Sequence, residues 1–145
     1  MICADTSFLF SLYANDAHSR RAVARISRCR QALSISPFNE YELGNALRFA
    51  EFRKLFSPGM AANYWAQFEA AIAQKRLQLE LCNLAIVLAE AKRLSSTYTA
   101  RQGHRSFDIL HVAAALHMGA TEFLTFDNDQ TRLAKAEGLK IPSFN

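Results

Sequence analysis

Short apolar runs alternate with longer amphipathic stretches along this chain, and their order predicts the elements. Residues 1–4, 32–36 ("ALSIS"), 77–81 ("LQLEL") and 121–126 ("TEFLTF") are short and apolar or alternating, as strands are. Residues 6–13, 17–30, 37–56, 60–75, 84–99, 107–117 and 130–136 carry the longer pattern of helices, and "LKIPS" at 139–143 offers a last strand. Ser36-Pro37 has the makings of a helix start, with Ser as N-cap and Pro at the first helical position. Strands separated by helices imply a parallel sheet with helices on its faces, and such sheets bind ligands beyond the carboxyl ends of their strands.

That edge is where acidic residues fall. Asp5 follows the first strand directly, and Asp127 and Asp129 follow the run "FLTF". Each has a bland alternative: Asp5 caps a helix, and "DND" forms an Asx turn. Glu42 shares a predicted helix face with Phe38, Ala46 and Phe49, whereas Glu40 lies with Gly44, Leu47 and Glu51 toward the charged side. Glu42 is therefore the acid expected to intrude into an apolar stripe, with a capping box from Asn39 as its alternative. Asp108 stands in the first turn of an apolar helix that Ser106 is placed to cap, where the helix dipole favours negative charge. His111, one turn on, reads as a core histidine with a satisfied hydrogen bond rather than a ligand. One cation site explains all of these acids together.

Composition changes this picture little. The 145 residues suit one domain, 1–145, and Lys plus Arg (17) exceed Asp plus Glu (13) only mildly. Cys3, Cys29 and Cys82 have no metal-ligand spacing and read as free thiols in a reducing compartment. The start "MICADTSF" does not resemble a signal peptide, and "LAIVLAEAKR" is too interrupted to span a bilayer, so a soluble cytoplasmic protein is expected.

Four segments in order, "ADTSFL", "SPFNEYELGNAL", "FDILHVAAALHMGA" and "FLTFDNDQTRLAKAEGL", resemble the PIN domain family, and within it the bacterial VapC-type toxins. The resemblance implies a three-layer α/β/α fold with a short central parallel sheet. It maps the family's acidic set onto Asp5, Glu42, Asp108 and Asp127, with Asp129 a further member or helper and Thr125 and Ser7 at polar positions that line such sites. It implies metal-dependent hydrolysis of RNA, a homodimer, and a small antitoxin that covers the site, with the aromatic-rich segment 49–68 as a candidate surface. An all-oxygen donor set suits Mg²⁺ or Mn²⁺. Arg101, His104 and Arg105 are candidate phosphate contacts. Two rivals remain: a PIN-like module that binds RNA or protein without cleaving it, and an aspartyl phosphotransferase, whose second aspartate "ADTS" lacks.

Overall fold

The computed structural model describes residues 1–144. Among these the sheet holds four strands, β1 (Ile2–Ala4), β2 (Leu33–Ile35), β3 (Leu77–Leu79) and β4 (Glu122–Leu124), in the order β3-β2-β1-β4 and all parallel. The helices are α1 (Thr6–Tyr13), α2 (Ser19–Ser27), α3 (Pro37–Phe52), α4 (Met60–Ala73), α5 (Leu84–Leu94), α6 (Ala100–Gln102), α7 (Ser106–His117) and α8 (Asn128–Ala136). Among the described residues, no helix is long and apolar enough to cross a membrane.

The pleat divides the core in two. Ile2, Ala4, Leu33, Ile35, Leu77 and Leu124 pack with Phe8, Leu43, Leu47 and Phe68 from α1, α3 and α4. Cys3 and Phe123, pointing to the other face, pack with Val87, Ile109, Val112 and Leu133 from α5, α7 and α8. Helices on both faces make three layers, as the sequence predicted. Crossovers from β1 to β2 to β3 run in one direction over one face, and the next returns over the other face to set β4 on the far side of β1. The connections leaving β1 and β4 therefore part, and a crevice opens at their carboxyl ends.

Several predicted boundaries move, each for a local reason. The helix expected over 17–30 spans only Ser19–Ser27, because the Asp16 carboxylate accepts the His18 N–H at 2.8 Å and turns the chain first. Helix α3 stops at Phe52 rather than 56, ahead of a left-handed Lys54 (φ 58°). The helix expected over 84–99 loosens into a π-helical turn, Ser95–Thr99. There the Ser96 and Thr97 hydroxyls donate to the carbonyls of Lys92 and Arg93 at 2.9 and 2.8 Å, competing with the helical ladder. "LKIPS" forms no strand: Lys140 makes one parallel bridge to Glu122, and Pro142 lacks the N–H to continue.

Candidate functional site

Asp5 sits at the floor of the crevice, fully buried. It caps α1 by accepting the Phe8 N–H at 2.9 Å, and it also accepts three side-chain bonds. Ser7 Oγ donates at 2.7 Å, Thr125 Oγ1 at 2.7 Å and Gln130 Nε2 at 2.9 Å. The two hydroxyls in turn accept the backbone N–H groups of Phe126 (3.0 Å) and Asp127 (2.9 Å). The end of β4 is thereby fastened to the end of β1 through one carboxylate. Burial pushes the Asp5 carboxyl above its ordinary range, and the bonds from Phe8, Thr125 and Ser7 pull against that shift.

Asp108 is buried at the start of α7 and accepts the second Gln130 N–H at 3.1 Å, so one amide spans Asp5 and Asp108. Arg105 holds Asp108 with two nitrogens, at 2.7 and 3.3 Å, and reaches Asp127 at 3.2 Å. The Asp108 bond, foremost, raises the Arg105 guanidinium above its usual range. Asp127 caps α8, its Oδ1 accepting the Asp129 and Gln130 N–H groups at 2.7 and 2.9 Å. Capping and convergence are thus not alternatives here: Asp5 and Asp127 do both.

Glu42 enters from α3. It accepts from His111 Nε2 at 2.6 Å, and the same ring nitrogen lies 3.2 Å from Thr6 Oγ1. The other ring nitrogen, Nδ1, faces Asn39 Nδ2 at 3.3 Å. Asn39 is itself oriented, since its Oδ1 accepts the Ser36 N–H at 2.9 Å and its Nδ2 also donates to the Ala4 carbonyl at 3.0 Å. An amide N–H facing Nδ1 makes that nitrogen the acceptor and leaves the His111 proton on Nε2, pointed at Glu42. Burial pushes the Glu42 carboxyl up, but the bonds from His111 and Thr6 outweigh it, and the net shift is downward.

A cleft of about 400 Å³ is lined by Glu42, Asp108 and Asp127 together with Thr6, Ser7, Asp16, His18, Arg105 and Gln130, with Asp5 beneath them. These oxygens have the hard-donor chemistry of a divalent cation site. Among the described residues, however, no three His, Cys, Asp or Glu side chains stand ready to hold an ion as they are. Arg105 and Gln130 occupy the carboxylates instead, and the Gln130 Oε1 is buried without a hydrogen-bond partner. The donor types therefore fit a cation, and Arg105 and Gln130 now bond carboxylate oxygens of the kind such an ion would take.

Other sequence expectations need correction. The stripe argued for Glu42 is not the buried face of α3, which is Asn39, Leu43, Leu47 and Ala50, while Phe49 is 54% exposed. Glu42 reaches the cleft from the margin of that face. Glu40's companions Gly44 and Leu47, expected toward the charged side, are buried. Ser106 is the first residue of α7 and makes no side-chain cap. Asp129 turns outward and pairs with Arg132. Arg105, expected on phosphate, is bound to acids, and His104 is buried beside Gln102. The sequence reading missed Gln130 and Asp16 and gave Asn39 only a capping role; the one signal for Gln130 was its place one turn after Asp127, at the start of a helix facing the sheet edge.

Known proteins place this architecture. No curated protein sequence matches the chain. Among solved structures it is similar to VapC20 of Mycobacterium tuberculosis, described as a sarcin–ricin-loop-cleaving toxin, at 20% identity and TM-score 0.70 over 97% of each chain. It is also similar to VapBC-1 of nontypeable Haemophilus influenzae (17% identity, TM-score 0.69, 99% of this chain and 98% of that one). A third likeness is to FitAcB of Neisseria gonorrhoeae (15% identity, TM-score 0.67, 99% and 98%). At such identities the likeness carries the fold alone. The family model described as PIN domain matches residues 2–136, nearly the whole length, and the chain belongs to the PIN domain family.

Proposed function

We propose that this protein is a Mg²⁺- or Mn²⁺-dependent ribonuclease acting as the toxin of a type II toxin–antitoxin pair. One observation carries the reading. Three acids from separate elements are joined through shared partners at the crevice between β1 and β4, Gln130 between Asp5 and Asp108 and Arg105 between Asp108 and Asp127, and Glu42 lines the same cleft. Asp5 and Asp108 are the principal cation residues, and Glu42 and Asp127 complete the site. A bound divalent ion supplies charge neutralisation at the scissile phosphate and an acidified water. The chain's own part is placement. Ser7 and Thr125 fix the Asp5 carboxylate, and His111 aims Glu42 into the cleft. The toxin assignment is supported by the likeness to a protein described as a toxin.

Protein partners have exposed apolar surface to cover. Tyr41, Phe49, Phe52 and Leu55 lie on and just after α3, and we assign them to the antitoxin. Leu81, Leu84, Ile86 and Leu88 are exposed just before and along the first half of α5, and we assign them to a homodimer contact. The nuclease reading is tested by incubating labelled RNA with the purified chain, with Mn²⁺ or with a chelator. Wild type with Mn²⁺ is expected to cleave, and Asp5→Asn and Asp108→Asn to lose about 100-fold or more in rate, the scale of losing a principal electrostatic group. Cleavage unchanged by either substitution, or by the chelator, overturns the reading. RNA binding without cleavage points to a non-catalytic module.

A further inference from the structure

Gln130 is the side chain in the cleft whose bonding is incomplete. Its backbone N–H is fixed by the Asp127 cap, and the residue is buried, with 4% of its surface exposed. Both amide protons are used, one on Asp5 Oδ2 and one on Asp108 Oδ1. Its carbonyl oxygen has no partner. A buried amide oxygen without a donor is costly, and native structures keep such groups for a reason. The amide orientation itself is forced: the reverse would aim a carbonyl oxygen at two carboxylates. That constraint disappears once positive charge stands between Asp5 and Asp108, because a neutral amide oxygen is an acceptable ligand for a hard divalent ion and an amide N–H is not.

We propose that Gln130 is a fifth residue of the cation site, bridging Asp5 and Asp108 as a donor in the metal-free protein and offering its Oε1 once a divalent ion is bound. The inference rests on the cation-site reading above. It gives the orphaned oxygen a purpose and explains how two buried acids are held together without an ion. Arg105 plays the outer counterpart, paired with Asp108 and Asp127 from a side chain that is 73% exposed.

The test measures Mn²⁺ affinity by calorimetry and by the electron-paramagnetic-resonance signal of free Mn²⁺, with metal-free melting temperatures alongside. Gln130→Met keeps the length but removes both donor and acceptor, and is expected to bind Mn²⁺ about 10-fold or more weakly, the scale for residues supporting a metal site. Gln130→Glu restores an oxygen and is expected to bind at least as tightly as wild type while melting lower without metal, since a third carboxylate then faces the other two. If Gln130→Met does not fold, Gln130→Asn, one methylene shorter and unable to span both acids, takes its place. Mn²⁺ affinity unchanged in the Met or Asn variant overturns this inference alone and makes Gln130 purely structural. Gln130→Glu binding more weakly than Gln130→Met also overturns it. Wild type that binds no Mn²⁺ overturns the cation site and this inference together.

Discussion

Asn39 provides the strictest test of how the site is held. Its amide lies between the ends of two strands, accepting the Ser36 N–H that follows β2 and donating to the Ala4 carbonyl that ends β1. The same Nδ2 faces His111 Nδ1 and so directs the ring proton to Glu42. Asn39→Ala takes its partner from four buried groups: the Ser36 N–H and Oγ, the Ala4 carbonyl and His111 Nδ1. At a net value of about 1 kcal/mol per intramolecular hydrogen bond, the loss is about 4 kcal/mol, against a typical domain stability of about 5–15 kcal/mol. Urea unfolding followed by circular dichroism reads this directly. With a slope of about 1.5 kcal/mol per molar, the midpoint falls by about 2.7 M. Asn45→Ala, on the exposed side of the same helix, serves as control and is expected to stay within about 0.5 kcal/mol. A midpoint for Asn39→Ala within about 0.5 M of wild type refutes the bridge.

Three further outcomes follow from the packing and charges. Phe8 is fully buried and stacks on Phe126 at a 5.5 Å centroid distance, so Phe8→Ala costs about 3–5 kcal/mol in the same urea assay, and under about 1 kcal/mol contradicts it. Burial raises the Glu137 carboxyl, but the bonds from Arg93 and Tyr98 outweigh that and hold it below its ordinary range. Its contribution is present above the ordinary glutamate value and is lost as pH falls through the lowered native value. Glu137→Gln therefore melts lower than wild type near pH 7, by less than about 1 kcal/mol since Arg93 is half exposed, and the difference closes toward pH 3. A gap that widens in acid has the wrong sign. Arg105 and a divalent ion compete for the same oxygens, so Arg105→Gln binds Mn²⁺ more tightly than wild type by calorimetry, and weaker binding refutes the competition.

Much of the fold was legible because it is written locally. The strand β1 was visible in three apolar residues ending at an aspartate, and α3 in a Ser-Pro start followed by helical spacing. Where prediction overshot, as at Lys54 or the Ser96 and Thr97 turn, a single backbone conformation or a side chain bonding back to the backbone decided the boundary. The reason given for choosing Glu42 over Glu40 does not hold, although Glu42 does line the cleft. A stripe in sequence does not say which of its margins the fold buries, and the buried face of α3 is a different one.

By itself, the sequence determined the succession of strands and helices as far as α8, the positions of Asp5, Glu42, Asp108 and Asp127 along it, and the family resemblance that the whole-length match then established. These depend on side-chain period and on residues near one another in the chain. Only the tertiary structure decided the strand order that parts the chain between β1 and β4, and the partners each acid takes there. Thr125 meets Asp5 across 120 positions and Gln130 meets it across 125, and no local pattern encodes such meetings. A buried carboxylate must find donors wherever the fold brings them, so the identity of those donors belongs to the folded molecule.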